Sequence, residues 1–146
     1  MTDAFLVMLI EDNDDHAELI QRTLAQHSVS NRVLHVSDGE AALDYLFRRG
    51  HWADPSHSPR PSVVLLDLRL PRIDGLEVLK SIKQSADLRR IPVVVLTTSE
   101  TERDVTRAYD NHANSYLVKP IGFEAFASLM NDVGTYWLSC NTRPVV

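Results

Sequence analysis

Three carboxylates, a hydroxyl and an ammonium stand just past short apolar runs in this chain, and together they suit a phosphoryl group held beside a hard cation. The run Val63–Leu66 leads straight into Asp67, Phe5–Ile10 into Glu11-Asp12, Val93–Leu96 into Thr97, and Tyr116–Val118 into Lys119-Pro120. All-apolar runs of this length bounded by turn residues read as strands buried on both faces. Open α/β sheets bind their ligands beyond the carboxyl ends of parallel strands, so all five groups should meet in one crevice. Three carboxylates in one pocket raise each other's pKa unless a cation joins them. An oxygen-ligated divalent ion is the economical remedy, which is magnesium chemistry. A lysine and a hydroxyl beside it supply what phosphoryl oxygens require. Taken singly, each position has an ordinary reading: Asp67 as a strand-end cap, Glu11-Asp12 as a solvated loop, Thr97 as a β-branched strand residue, Lys119 as surface. Their joint occurrence is what points to chemistry.

The elements that must position these groups alternate along the chain. After the first strand, Asp15 and Glu18 have capping-box spacing ahead of a helix striped by Ala17, Ile20 and Leu24. Arg32–Val36 reads as a second strand, and Ser37 with Glu40 opens a helix that buries Ala42, Leu43, Leu46 and Phe47. Strand three, Val63–Leu66, is followed by a helix from Asp74, capped together with Glu77 and carrying Leu76, Leu79 and Ile82. Pro92 introduces strand four, Val93–Thr97; Ser99 and Glu102 cap the next helix, with Val105, Ala108 and Tyr109 on one face. Tyr116–Val118 is the fifth strand, and the last helix starts near Gly122 and buries Phe123, Phe126, Ala127 and Met130. Five strands alternating with five helices predict a parallel sheet covered on both faces, with right-handed connections. One stretch breaks the rhythm. Gly50 to Pro61 is rich in proline and serine and reads as a long surface loop, mobile unless Trp52 docks. Beyond it all, Tyr136, Trp137 and Leu138 extend the last helix or cover an edge, and Asn141–Pro144 should fray.

At 146 residues the length fits one domain over 1–146, with a core at about 5–137 and a tail at 138–146. The 44% hydrophobic and 24% charged composition is that of a globular protein. Cys140 is the only cysteine, so no disulfide can form within the chain, which suits a reducing, cytoplasmic setting. The apolar run at the start is too short and too acidic in its flank for a signal peptide, and no run is long enough to span a membrane. A net charge of −5 argues against a nucleic-acid footprint.

This pattern resembles the receiver domain of two-component response regulators. The acidic pair Glu11-Asp12, the D-x-x-x-P-x-x-D-G stretch from Asp67 to Gly75, Thr97 and Lys119-Pro120 occur in the family's order. The resemblance covers about Leu6 to Met130. It implies a flavodoxin-like (βα)5 fold, a doubly wound five-stranded parallel sheet with helices on both faces. It also implies that Asp67 is the phosphoacceptor, and that Glu11, Asp12, Asp67 and the backbone carbonyl of Arg69 ligate Mg²⁺. Thr97 and Lys119 would bond the phosphoryl oxygens, Tyr116 would be the aromatic switch, and the Lys119–Pro120 bond would be cis. The implied partner is a sensor histidine kinase docking at the first helix, where Asp14, Asp15, His16 and Glu18 cluster. The loop before strand three and the aromatic C-terminal extension resemble single-domain receivers that work with phytochrome-type kinases. That subfamily likeness implies a homodimer through the face of helix four, strand five and helix five. Arg69 and Ser99, two residues past Asp67 and Thr97, flank the path of hydrolytic water and are expected to set the lifetime of the phosphorylated state.

Three other readings compete with this one. A phosphohydrolase of the haloacid-dehalogenase type needs a second aspartate two residues past the nucleophile, where this chain has Arg69. A flavodoxin-like cofactor binder needs a phosphate-cradling loop after strand one, where Glu11-Asp12 repels phosphate instead. A receiver-shaped scaffold that takes no phosphate is disfavoured by the intact set of five groups.

Overall fold

The computed structural model describes residues 5–144. Its strands are β1 (Phe5–Ile10), β2 (Asn31–Val36), β3 (Val63–Leu66), β4 (Val93–Thr97) and β5 (Ser115–Val118). The helices are α1 (Asp14–Ala25), α2 (Gly39–Leu46), α3 (Gly75–Gln84), α4 (Glu102–Asp110) and α5 (Phe123–Gly134). All strands pair in parallel in the order β2-β1-β3-β4-β5. The chain winds one way from β1 to β2 and the other way from β3 onward, so the crevice opens beyond β1 and β3.

The pleat sorts the core into two layers, because successive strand residues face opposite ways. Met8, Ile10, Val64, Leu66, Val93 and Val95 pack against α2, α3 and α4. Val7, Leu9, Val63, Leu65, Val94 and Leu96 pack against α1 and α5. Burial on both faces is the physical reason these strands are uninterrupted apolar runs.

Helix starts differ from the sequence expectation by two residues or fewer, and the cause is the same at each. The cap is the extended residue immediately before the first helical turn. Asn13, not Asp15, caps α1 by accepting from the His16 amide. Asp38, not Ser37, caps α2 through the Ala41 amide, and Thr101, not Ser99, caps α4 through the Asp104 amide. Asp74 precedes α3 as expected but makes no side-chain cap bond. Two aromatic residues expected in the core lie outside it: Tyr109 on α4 and Phe123 at the start of α5 are exposed, while Ala108, Phe126 and Met130 are buried. No peptide bond among the described residues is cis, so Lys119–Pro120 adopts the trans form that X–Pro bonds ordinarily prefer.

The irregular segments are tied down. Trp52 stacks edge-on against Tyr45 and packs on the core, and Ser58 is fully buried with its hydroxyl donating to the Trp52 and Asp54 carbonyls. After α5 the chain continues as a π-helical segment, Thr135–Cys140, that buries Leu138. The stretch 141–144, expected to fray, makes one contact back to the sheet. The Arg143 guanidinium lies over the Phe5 ring, 4.8 Å from its centroid, and donates to Ser62 Oγ at 3.0 Å.

Candidate functional site

The register carries the five groups together. Ile10 pairs with Leu66, Leu66 with Val95 and Thr97 with Val118, so Glu11 and Asp67 leave adjacent strands at one level, with Thr97 one residue and Lys119 two residues further along on the next two strands. Glu11 follows β1 and is 1% exposed; Asp67 follows β3 at 7% and Lys119 follows β5 at 5%. The Lys119 ammonium donates to Asp67 Oδ2 at 2.9 Å, to Glu11 Oε1, and lies 3.0 Å from His16 Nδ1. The other Asp67 oxygen, Oδ1, accepts from the Thr97 hydroxyl at 2.9 Å and from the Arg69 amide at 3.1 Å. Asp12 is exposed at the rim, and carboxylate oxygens of Glu11, Asp12 and Asp67 lie within 4.8 Å of one another.

One buried lysine serves two buried carboxylates, and the shortfall of positive charge falls on Glu11. Burial pushes its carboxyl from 4.5 to about 7, despite the hydrogen bond from Lys119. Burial acts on Asp67 in the same direction, but the Lys119 charge and the Arg69 amide outweigh it and hold Asp67 below its ordinary value. His16 is likewise lowered, by burial first and by the Lys119 charge next, so its neutral ring can accept from the ammonium. An all-oxygen donor set with uncompensated negative charge fits a hard divalent ion.

Gly75 fixes the loop beneath Asp67. A Cβ there would press into the Asp67 carbonyl and stand 2.5 Å from Leu68 Cα, while the Gly75 amide donates to the Leu68 carbonyl at 3.1 Å. The glycine of the Asp74-Gly75 pair therefore lets α3 begin directly against the backbone that carries Asp67.

Arg69 and Ser99 do not stand on separate rims. Both bond one oxygen of Asp104, Arg69 through Nη2 at 2.7 Å and Ser99 through Oγ at 2.5 Å. Tyr116 is half-buried against the core, and its hydroxyl donates to the Ser99 carbonyl at 2.8 Å. Neither Asp104 nor the contact of His16 with Lys119 was anticipated from sequence. Asp104 had a signal: Thr101-x-x-Asp104 is itself a capping pattern. The His16 contact spans 103 residues and has no local signature.

This fold, with its acidic crevice at the switch point, defines a class of signalling domain. Residues 7–131 match the family model for the response regulator receiver domain, and the chain belongs to that family. Over 142 residues it is 49% identical to a protein of Methanothrix harundinacea described as the probable methanogenesis regulatory protein FilR2, covering 97% of this chain and 89% of that one. It is also similar to response regulator Rcp1 of Synechocystis, at 40% identity over 95% of this chain and 92% of that one. The crystal structure of Rcp1 in its Mn²⁺-bound form superposes with a TM-score of 0.91 at 39% identity, covering 96% and 99% of the two chains. The structure of the phosphorylated cyanobacterial phytochrome response regulator RcpA superposes with a TM-score of 0.93 at 40% identity, covering 98% and 100%. Among the described residues no helix is long and apolar enough to cross a membrane.

Proposed function

We propose that this receiver takes a phosphoryl group from a sensor histidine kinase onto Asp67 and signals through the resulting change in its surface. The observation that carries the reading is the pair of donors on Asp67: Thr97 on one oxygen and Lys119 on the other. In the transfer, a carboxylate oxygen of Asp67 forms a bond to phosphorus as the N–P bond of the kinase's phosphohistidine breaks, and the electron pair of that bond stays on the imidazole. Lys119 and Thr97 are already at hydrogen-bond distance from Asp67, so they reach the incoming oxygens with little reorganisation. Glu11, Asp12, Asp67 and the carbonyl of Arg69 would hold Mg²⁺. When bound, it would supply the positive charge that draws a dianionic phosphoryl group toward these carboxylates.

Two surfaces support the partners. A groove of about 820 Å³ runs between α1 and the loop after β5, with Asp15, Glu18 and Leu19 on one wall and Ile121 and Phe123 on the other. Ile121 and Phe123 are exposed, and apolar side chains beside an acidic helix start suit a docking kinase helix with a basic rim. The likeness to phytochrome response regulators supports a phytochrome-type kinase as that partner. The proposed homodimer uses the face of α4, β5 and α5; between β5 and α5, Leu117, Leu129, Tyr136 and Trp137 line a hollow of about 300 Å³.

The test is chemical. Incubated with Mg²⁺ and acetyl phosphate, the intact chain should gain the mass of one acid-labile phosphoryl group, and Asp67→Asn should gain none. A chain that stays unmodified behaves as a scaffold, and one that turns over donor catalytically behaves as a hydrolase; either result refutes the proposal.

A further inference from the structure

The phosphoryl-transfer reading leaves one buried carboxylate without a role. Asp104 lies in the first turn of α4, and its side chain is 9% exposed, while that of its partner Arg69 is 63% exposed. Its bonds close a ring on the phosphoacceptor. Asp67 Oδ1 accepts from the Arg69 amide at 3.1 Å, the Arg69 guanidinium reaches Asp104 Oδ2 at 2.7 Å, and the same Oδ2 accepts from Ser99 Oγ at 2.5 Å. The Ser99 amide returns to Thr97 Oγ1 at 3.5 Å, and Thr97 donates at 2.9 Å to the Asp67 Oδ1 where the ring began. Ser99 is also the residue whose carbonyl holds the Tyr116 hydroxyl.

We propose that Asp104 is a positioning residue that draws the Arg69 guanidinium aside in the unphosphorylated protein and yields it when Asp67 carries a dianionic group. The inference rests on the phosphoryl-transfer reading and deepens it. A phosphoryl group carries close to two negative charges and matches the guanidinium fork, so it competes well with a single carboxylate oxygen. Arg69 is long and mostly exposed and can swing; Asp104 is buried and fixed to the helix cap through Thr101. Once Arg69 leaves, a buried carboxylate remains with the Ser99 hydroxyl and the turn of α4 as its only support. Ser99 Oγ and the first turn of α4 then lose the guanidinium that shared Asp104 Oδ2 with them, and both can shift. The event at Asp67 thereby reaches the helix that borders the signalling face.

The test uses the full chain with Mg²⁺ and beryllofluoride as a phosphoryl analogue, comparing wild type, Asp104→Asn, Arg69→Ala and the double variant. Asparagine is isosteric and keeps an acceptor for Ser99. Releasing an ion pair of this exposure shifts an equilibrium by roughly two- to five-fold. Asp104→Asn should therefore bind the analogue about that much more tightly, and the gain should vanish when Arg69 is alanine. Equal effects in both backgrounds, or no effect, overturn the proposal, since a purely structural cap does not depend on Arg69. A second readout needs no Asp104 variant: the amide resonances of Asp104 and Val105 should shift on beryllofluoride addition far less in Arg69→Ala than in wild type. Equal shifts overturn it as well. If wild type accepts neither acetyl phosphate nor beryllofluoride, the parent reading fails and this one falls with it; if it accepts both and only the Arg69 dependence is missing, this inference alone is refuted.

Discussion

At the residue scale the site is a problem in charge. Glu11, Asp67 and Lys119 are all buried, and one ammonium cannot neutralise two carboxylates. Glu11 resolves the shortfall by titrating near 7. A carboxyl whose pKa is raised on folding contributes stability below its unfolded value near 4.5, and that contribution is lost as pH climbs through about 7. Asp67 is shifted the opposite way and titrates below this window. The metal-free protein should therefore lose stability between pH 4.5 and about 7, and Mg²⁺ should raise the melting temperature more at about pH 8 than at about pH 6. Binding at neutral pH should also release a proton from Glu11. Calorimetry in buffers of different ionisation enthalpy checks this: a binding heat independent of buffer would contradict it. Lys119→Met removes the only side-chain cation bonded to either carboxylate among the described residues and should cost about 3–5 kcal/mol at neutral pH, with a smaller loss at about pH 5 where protonation substitutes for the ammonium. Denaturant melts at the two pH values measure that difference.

At the element scale, what positions the site is where strands stop and how closely helices begin. The stops were plain in the sequence, because an apolar run meeting Asp67, Glu11 or Lys119 marks both the end of burial and the start of the crevice. The helix starts were less plain. Ser99 and Thr101 both carry hydroxyls with an acidic residue three positions on, and only the backbone decides which one is extended at the cap. With Ser99 read as the cap, Asp104 is hidden and Arg69 and Ser99 look independent. Tyr109 and Phe123 differ for a related reason: aromatic residues fit the apolar period, yet both stand at helix ends and are exposed. Gly75→Ala is the sharpest test at this scale. Its Cβ would meet main chain that cannot rotate away, so a loss of about 1–3 kcal/mol in stability is expected, as for other overpacked positions. Slower gain of phosphoryl from acetyl phosphate should accompany it. A wild-type melt and rate would show that the β3–α3 loop has slack the packing denies it.

At the scale of the whole molecule, two additions sit on the receiver frame; the extension of the last helix through Tyr136, Trp137 and Leu138 was legible, but the contacts that fasten both additions were not. The loop at 50–61 is rich in turn formers, but Trp52, Ser58 and the Tyr45 hydroxyl on the Pro59 carbonyl at 2.6 Å fasten it over α2. The C-terminal segment extends α5, and Arg143 pins it to Phe5 and Ser62 at the start of the sheet, a contact no local pattern could disclose. Tyr136, half exposed beside the β5–α5 hollow, is available to a second copy. Tyr136→Glu should move the protein toward monomer in sedimentation velocity while changing stability by less than about 0.5 kcal/mol; an unchanged sedimentation profile would remove this face from the interface. The proposed function depends on one covalent event, and it can be located directly. After reaction with acetyl phosphate, borohydride reduction converts an acyl phosphate to the corresponding alcohol, which peptide mass spectrometry then places. Homoserine is expected at position 67 and no reduction product at any other acidic residue; products at Glu11, Asp12 or Asp104, or none anywhere in a chain that has gained phosphate, would contradict the assignment of Asp67.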